Sequence, residues 1–370
     1  MAKRICAAFL ALCLGLTLAG CGSLGPSGST STAEDPSMAG WQKFTATWFD
    51  VFDTVTNVVG YAPRQEEWDN QMQALHQDLQ TYHNYYDIYY SHEGITNLRD
   101  VNQLAGQSPV KVDAPIMDLL LEAKELYQMT QGKLNITLGT VLTIWHDYRE
   151  AGLEDPDNAA LPPMEDLQQA AQHCHIEDLV LDQEAGTVYF ADPEMQLDVG
   201  SVGKGYAVEQ VALAAQARGL QSALISVGGN LRSIGHKPDG SLWTGGVQDP
   251  WASVGQSMNT APYLAAVQLE NQSLVISGDY QRFYTVDGKR YHHLIDPDTL
   301  MPADLFSAVA VLCADSGLAD CLTTGLFCLS LEEGQAMVES MEGVEAMWML
   351  PDGTIVYSSG FESHVKPQQS

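Results

Sequence analysis

Two sets of polar residues in the C-terminal third of the sequence could carry out chemistry at a phosphate group. Asp320 and Thr324 are four residues apart on a predicted helix and therefore share one face. A carboxylate and a hydroxyl are hard oxygen ligands of the kind that Mg²⁺ accepts beside substrate phosphates. His292 and His293 lie on a predicted strand, where adjacent side chains point to opposite faces, so at most one can reach a shared site. An imidazole there could accept a proton from a hydroxyl near neutral pH.

A glycine-rich turn at residues 200–205 is a third candidate, because it opens a predicted helix. Free backbone N–H groups at a helix N-terminus, with Lys204 beside them, suit a phosphate. The same spacing also fits a tight strand-to-helix connection without a ligand. The order G-x-x-G-x-G matches neither the dinucleotide-binding nor the P-loop pattern, so neither of those folds is supported. A short strand ending at Asp198 is predicted before the turn, and a helix, a strand and a second glycine turn at 228–230 are predicted after it.

Two further segments contain residues that could line a ligand site. The run YYDIYY at 85–90 is dense enough in tyrosine either to form the edge of a core or to stack on a planar ligand. Ser277 lies in a glycine turn between predicted strands, but the turn lacks the G-x-S-x-G pattern of a serine hydrolase. Each pattern described so far is also common among residues with a structural role, so no single one assigns a function.

The first 21 residues resemble a bacterial lipoprotein signal. Lys3 and Arg4 precede a short apolar run, and the small-residue sequence Leu-Ala-Gly precedes Cys21. This pattern predicts cleavage before Cys21 and lipidation of that residue, whereas the run is too short for the competing interpretation, a transmembrane helix. Residues 22–40 are rich in Gly, Ser, Thr and Pro, which predicts a flexible tether. We therefore expect a body at 41–362 and a tail at 363–370, held by lipid at the extracytoplasmic face of the bacterial cell membrane.

The sequence is strongly acidic, with 47 Asp and Glu, 17 Lys and Arg, and a formal net charge of −30. Such a charge argues against nucleic acid or an anionic membrane surface as a partner, so membrane contact is expected only through the lipid. A phosphate ligand would need local positive charge or a metal ion. Small buried side chains are predicted for the four cysteines of the body, with a disulfide as the alternative: Cys174, Cys313, Cys321 and Cys328.

Strands and helices occur in groups along the body, which predicts an α+β fold rather than a regular βαβ array. Helices are expected after Pro63, over 113–131, from Pro162 to Cys174, and over 315–329 and 332–341, with a strand-to-helix transition over 133–149. Strands or hairpins are expected over 44–61, 179–190, 224–227, 243–248, 263–269, 273–276, 283–286, 290–295, 306–313 and 344–357.

Taken together, these segments resemble the ApbE family of FAD:protein FMN transferases over nearly the whole expected body. LDVGSVGKGYAVEQ and SVGGNLRSIG are similar to the two glycine turns of the family. VQDP, SGDYQRFY, YHHLIDPDT and LADCLTTGLF follow in the family's order, and NITLGTVLTIWHDYR resembles the segment around its flavin-contacting tryptophan. The resemblance implies an ApbE-like (T-fold-like) body of mixed antiparallel sheets with flanking helices, in two intimately packed lobes.

The family's reaction transfers FMN from FAD to a Ser or Thr hydroxyl of an acceptor protein, forming a phosphodiester and releasing AMP. The resemblance implies that His293 is the base, and that Asp320, Thr324 and the backbone carbonyl of Ser201 bind Mg²⁺. It also implies that FAD, the substrate, contacts Asp198 and Lys204 near its diphosphate and lies against Tyr89, Ile144, Trp145, His146, Ser277 and Ile295. These groups would supply the charge neutralisation and proton removal that transfer at a diphosphate requires.

Three positions depart from the family's pattern. Ser201 stands after the first glycine of the turn, the sequence DTLMP after Pro297 lacks the usual glycine, and Phe52-Asp53-Thr54 replaces an N-terminal M-G-T. Three alternatives to transfer remain: capture of a flavin or another nucleotide without turnover, hydrolysis of FAD to FMN and AMP, and a purely structural surface lipoprotein.

Overall fold

The structure, a computed structural model, describes residues 35–250 and 263–367. Within these residues the strands are β1 (Gln42–Val51), β2 (Thr54–Ala62), β3 (Val110–Lys111), β4 (Leu179–Asp182), β5 (Thr187–Phe190), β6 (Ala223–Val227), β7 (Asn230–Ile234), β8 (Trp243–Gln248), β9 (Tyr263–Leu269), β10 (Ser273–Gly278), β11 (Phe283–Val286), β12 (Lys289–His292), β13 (Ala308–Cys313), β14 (Glu345–Met349) and β15 (Ile355–Tyr357). The helices are α1 (Gln65–Tyr86), α2 (Leu98–Leu104), α3 (Ala114–Met129), α4 (Gly139–Glu154), α5 (Met164–Ala170), α6 (Gly203–Ala217), α7 (Ser316–Cys328) and α8 (Leu331–Glu339).

An eight-stranded sheet in the order β1-β2-β6-β7-β10-β13-β14-β15 forms the centre of the body. Every pair of neighbours in it is antiparallel. A three-stranded sheet (β3-β5-β4) and two hairpins (β8–β9 and β11–β12) are separate from it. The expected α+β class with mixed antiparallel sheets is therefore confirmed.

Apolar side chains cover the central sheet on both sides. On one side, the predicted apolar face of α6, from Val208 to Ala215, packs with Leu75 and Leu79 of α1 against β2 and β6. Helices α7 and α8 continue this layer over β13 and β14. On the other side, Trp243 of the β8–β9 hairpin packs with residues of β10, β13 and β14. Strand β13 is buried along its whole length as a result.

Two further cores flank this arrangement and carry the walls of the site. One joins α2, α3 and the three-stranded sheet to the start of α6. The other joins α4 and the segment after it to the β11–β12 hairpin, through Trp145 and Tyr284. The described residues belong to one compact unit.

Two expected strands are absent from the described residues. Residues 133–138 and 197–198 are irregular. Leu138 forms an isolated bridge with Gln196, and the Asp198 N–H donates to the Ile136 carbonyl at 2.9 Å. Their apolar residues Leu134, Ile136, Leu138 and Leu197 are buried, which is why the sequence suggested strands. A short pattern of this kind does not distinguish a strand from a buried loop. The close approach depends on Gly139, where a Cβ would collide with the Gln196 carbonyl.

The folded part extends beyond both expected boundaries. The backbone N–H of Asp35 donates to the Pro238 carbonyl at 3.0 Å, six residues before the expected start at 41. At the other end, the Lys366 N–H donates to the Ala266 carbonyl at 2.7 Å, within the expected tail. The predicted signal, Cys21 and most of the tether lie outside the described residues. No described helix is long and apolar enough to cross a membrane.

The four cysteines of the body are buried and unpaired. Burial raises the pKa of the Cys313 and Cys328 thiols to about 12. The structure therefore supports the prediction of small buried side chains over the disulfide alternative.

Replacing Gly205 with alanine should destabilise the fold by about 2 kcal/mol or more, the usual cost of overpacking a rigid contact. Gly205 lies where α6 crosses α7, and a Cβ there would collide with the Asp320 Cβ and the Ser316 carbonyl. Urea denaturation measures the change. Gly334→Ala in α8 is the matched control, because the nearest atom to its Cβ would be a flexible Leu326 methyl at 3.3 Å. Equal free energies of unfolding for both variants would contradict the assignment.

Candidate functional site

A cavity of about 540 Å³ opens where the N-terminus of α6 meets the C-terminal end of α1. The β1–β2 and β6–β7 turns, one face of α4 and the segment that follows β12 complete its walls. With one exception, every described residue for which a site role was expected lines it: Tyr89, Trp145, His146, Asp198, Ser201, Lys204, Ser277, His293, Ile295, Asp320 and Thr324. Residues far apart in the sequence are therefore brought to one place.

The exception is Ile144, for which an FAD contact was expected. Leu142, Trp145, His146 and Arg149 line the cavity at the i, i+3, i+4, i+7 spacing of a helix face. Ile144 lies off this face and packs against the core beneath α4. The expectation for Ile144 is corrected, and the same spacing identifies Arg149, which the sequence analysis missed.

The carboxylate of Asp320 joins α7 to the start of α6. Its Oδ2 accepts a hydrogen bond from the Gly205 N–H at 2.8 Å and lies 3.6 Å from Lys204 Nζ. Lys204 Nζ also donates to Asn230 Oδ1 at 3.4 Å, in the second glycine turn. Asp320 is only 5% exposed, so these contacts fix its direction. The carboxylate, the lysine and the N-terminus of α6 consequently face the cavity together.

Three oxygen donors at this point suit a divalent cation shared with a phosphate. Thr324 follows Asp320 by one helical turn, and both line the cavity with Ser201. The hydroxyl of Thr323 is buried and donates instead to the Asp320 carbonyl at 2.7 Å. Within residues 35–250 and 263–367 no cluster of three or more His, Cys, Asp and Glu side chains could hold a metal alone. A single carboxylate with neutral oxygens fits Mg²⁺, which usually takes few protein ligands and completes its shell with phosphate and water.

Burial favours the neutral form of His293. Burial lowers its pKa well below 6.5, and the positive charge of Arg282 lowers it further. Its Nδ1 is buried and has no hydrogen-bond partner among the described residues. His292 has the opposite orientation: its Nε2 donates to the Ala303 carbonyl at 2.8 Å and its ring edge packs on Phe327. The expectation that only one of the two histidines reaches the site is therefore confirmed.

Two arginines that the sequence analysis did not assign balance the charge of Asp198. Burial raises the Asp198 pKa, while the Gly200 N–H at 2.8 Å and the nearby Arg282 and Arg149 oppose that rise. Arg149 Nη2 donates to His146 Nδ1 at 2.8 Å, since a guanidinium cannot accept. The cavity wall thus offers positive charge in an otherwise acidic protein.

Aromatic groups lie at one side of the cavity. Tyr89 is 55% exposed, and its ring centre lies 5.9 Å from that of His146. Trp145 is almost fully buried; its Nε1 donates to the Leu300 carbonyl at 2.9 Å, and its ring stacks on Tyr291. Tyr89 and His146 are therefore the surfaces most available to a planar ligand, while Trp145 also braces the wall.

Two turns in which this sequence lacks the family's glycine still have the positive φ angles that glycine adopts most readily. Leu300, in the DTLMP turn, has a φ of +59°. Phe52 and Asp53 have φ values of +55° and +48° in the two-residue β1–β2 turn, which requires positive φ at both positions. His83 Nδ1 accepts the Phe52 N–H at 3.2 Å and so fastens this turn to α1. Asp53 and Thr54 line the cavity as a result.

The fold and cavity define an α+β protein whose cavity wall combines a lysine and arginines with exposed aromatic rings. Comparison with known proteins agrees: the chain belongs to the ApbE family, whose model matches residues 52–348. The resemblance found in the sequence is therefore confirmed.

Individual relatives give the same result. The FAD:protein FMN transferase of Treponema pallidum (strain Nichols) is 33% identical over 285 residues, which cover 73% of this chain and 75% of that protein. A protein of the same name from Klebsiella pneumoniae (strain 342) is 29% identical over 287 residues, covering 77% and 85%. The crystal structure of the ApbE protein from Thermotoga maritima has a TM-score of 0.75 at 23% identity, over 88% of this chain and 100% of that one, and shows a shared fold.

Proposed function

We propose that this chain transfers FMN from FAD to a Ser or Thr hydroxyl of an acceptor protein and releases AMP. The observation that carries the proposal is a neutral His293, with Nδ1 unpartnered among the described residues, in the same cavity as Asp320, Thr324 and Lys204. A protein that only bound a flavin would not need a base beside the phosphate-binding groups. The names of the curated relatives support the same activity.

Each protein group has a defined task in this reaction. The N-terminus of α6 and Lys204 bind the diphosphate, while Tyr89 and His146 orient the planar ring. His293 accepts the proton of the acceptor hydroxyl. The hydroxyl oxygen then bonds to the phosphorus of the FMN half, and the bond from that phosphorus to the bridging oxygen breaks, so that the bridging oxygen leaves with AMP. When bound by Asp320, Thr324 and the Ser201 carbonyl, Mg²⁺ would neutralise the phosphate charge.

The transfer assay combines the soluble body, FAD, Mg²⁺ and candidate acceptor proteins expressed in the same cell. We expect flavin fluorescence on an acceptor in a denaturing gel, with one AMP released for each flavin attached. FAD binding without AMP release would contradict the proposal and favour a binding protein. Release of FMN and AMP without a labelled acceptor would indicate hydrolysis, in which water takes the place of the hydroxyl.

Replacing Lys204 with methionine should weaken FAD binding about 10- to 100-fold, since a hydrogen bond to a charged group contributes about 1.5–3 kcal/mol. Lys204 is the ammonium group nearest to Asp320, at 3.6 Å. Quenching of FAD fluorescence measures the dissociation constant. Lys43→Met, on the exposed start of β1, is the control and should leave it unchanged. Wild-type affinity in the Lys204 variant would remove this residue from the site.

We also propose that the protein is lipidated at Cys21 and held at the extracytoplasmic face of the cell membrane. The charged start, the short apolar run and the small residues before Cys21 support this. Replacing Cys21 with alanine should prevent incorporation of labelled palmitate and leave an unprocessed precursor. Normal labelling of that variant would contradict the anchor.

A further inference from the structure

The β11–β12 hairpin and the residue before it carry an unusual group of charges. Arg282, Lys289 and Arg290 lie within nine residues, in a sequence with only 17 Lys and Arg against 47 Asp and Glu. Asp287, in the hairpin turn, is the one acidic residue of this segment. The segment is therefore a local reversal of the protein's overall charge.

Arg282 acts on Asp198 and Arg290 acts on Asp279, but only beyond ion-pair distance, so neither carboxylate is paired with any of the three cations. In the part of the chain that the structure describes, none of them forms an ion pair, whereas Lys289 Nζ lies 5.3 Å from the Tyr291 ring centre and Arg290 Cζ 4.7 Å from that of Phe283. A cation–π contact orients a cation without cancelling its charge. Because residues 289 and 290 point to opposite faces of the strand, the tip of the hairpin is positive on both faces.

The hairpin has a fixed position beside the proposed base. Strand β12 ends at His292, and His293 follows directly in the cavity wall. The ring of Tyr291 stacks on Trp145 at 6.3 Å, and the buried Tyr284 donates its hydroxyl hydrogen to the Ala160 carbonyl at 3.0 Å. Lys289 and Arg290 precede His293 by four and three residues, roughly 10–13 Å along an extended chain, which is within reach of residues that flank a hydroxyl delivered to His293.

We propose that the tip of the β11–β12 hairpin, through Lys289 and Arg290, binds acidic residues that flank the acceptor hydroxyl. The proposal rests on the proposed transfer function and adds the chemistry of its protein partner. With a net charge of −30, the rest of the surface repels an acidic partner, so attraction at one place also fixes orientation. Repulsion elsewhere contributes to specificity as much as the contact itself.

A pair of labelled peptides tests this directly. Both have a central serine; one is flanked by Glu residues and the other by Gln, and binding is followed by fluorescence anisotropy with FAD present and no divalent cation. We expect the wild-type protein to bind the Glu peptide about tenfold more tightly, in the range that charge complementarity provides, and to lose this preference at high salt. Lys289→Glu/Arg290→Glu should abolish the preference. Equal binding of both peptides to the wild type would overturn the proposal.

A matched control separates local from overall charge. Lys43→Glu/Lys366→Glu changes the net charge equally at two exposed lysines, and Lys43 lies about 30 Å along β1 from the turn that lines the cavity. This variant should keep the peptide preference; an equal loss in it would overturn the local assignment. FAD affinity should be unchanged in the hairpin variant, since Lys289 and Arg290 do not line the cavity. Transfer without a peptide preference would contradict only the hairpin proposal, whereas a peptide preference without transfer would contradict only the proposed function.

Discussion

The rate constant kcat for FMN transfer should fall about 10²- to 10⁴-fold when His293 is replaced by alanine, the usual contribution of a positioned general base. FAD affinity should change little, because Lys204, the start of α6 and the aromatic side of the cavity stay in place. The imidazole of His293, which lines the cavity, is the group whose loss matters. Single-turnover kinetics with saturating FAD and acceptor measure the effect. His175→Ala, at an exposed position outside the cavity, is the control.

The pH dependence provides a second readout of the same residue. Because burial and then Arg282 lower the pKa of His293, it stays neutral down to below pH 6.5. The wild-type rate should therefore be flat between pH 7 and 8 and should fall only on acidification below about 6.5, the ordinary histidine value. His293→Ala should lose this acid limb. An unchanged kcat or an unchanged acid limb in the variant would exclude His293 as the base.

The free energy of unfolding should also decrease as pH falls. The pKa of His293 is lower in the folded chain than in the unfolded chain, so the unfolded chain takes up its proton first as pH falls. Burial also lowers the pKa of His292, to about 4. The stability that these two neutral histidines provide is present above about pH 6.5 and is lost as pH falls toward their folded pKa values.

Replacing Asp320 with asparagine should remove most of the Mg²⁺-dependent activity, with a loss of about 10²-fold or more, comparable to removal of one charge-stabilising group. An asparagine side-chain oxygen can still accept the Gly205 N–H, so the α6–α7 contact is kept while the negative charge is lost. We expect a small change in the free energy of unfolding and a large increase in the Mg²⁺ concentration at half-maximal rate. Calorimetric titration of Mg²⁺ into the FAD-bound protein measures metal affinity independently of turnover.

Thr324 offers the matched control for this experiment. Thr324→Ser keeps the hydroxyl and should retain Mg²⁺ affinity, whereas Thr324→Val keeps the shape without the oxygen and should lower it. A wild-type Mg²⁺ midpoint in Asp320→Asn would exclude the carboxylate as a ligand. Equal affinities in the serine and valine variants would exclude the hydroxyl.

At two positions where the sequence departs from the family pattern, tertiary contacts stabilise a backbone conformation that usually favours glycine. Leu300 adopts the left-handed backbone expected of glycine, a conformation that costs an ordinary residue about 1 kcal/mol or more. The buried Leu300 side chain and the bond from Trp145 Nε1 to its carbonyl compensate for this cost. At the β1–β2 turn, the bond between the Phe52 N–H and His83 plays the same role.

The sequence by itself determined the α+β class from local patterns, and its resemblance to the ApbE family identified eleven of the residues that line the cavity. The i, i+4 spacing of Asp320 and Thr324 and the alternation of His292 and His293 are properties of one helix and one strand. Local reasoning failed for the strands expected at 133–138 and 197–198, because the decisive contacts there join these two distant segments. The FAD contact at Ile144 was implied by the resemblance, and the helical spacing of α4 places this residue off the cavity face.

Only the tertiary structure decided the chemistry of the cavity. The glycine turn at 200–205, taken alone, fitted an empty connection as well as a phosphate site. Its Gly205 meets Asp320 across 115 residues of sequence, and Arg149 and Arg282 reach Asp198 and His293 from separate elements. The lowered pKa of His293 is a consequence of burial, which depends on how α4, α7 and the β11–β12 hairpin pack together. Spacing along a chain specifies which face a side chain occupies, but the dielectric and the charges around it are set by its distant neighbours.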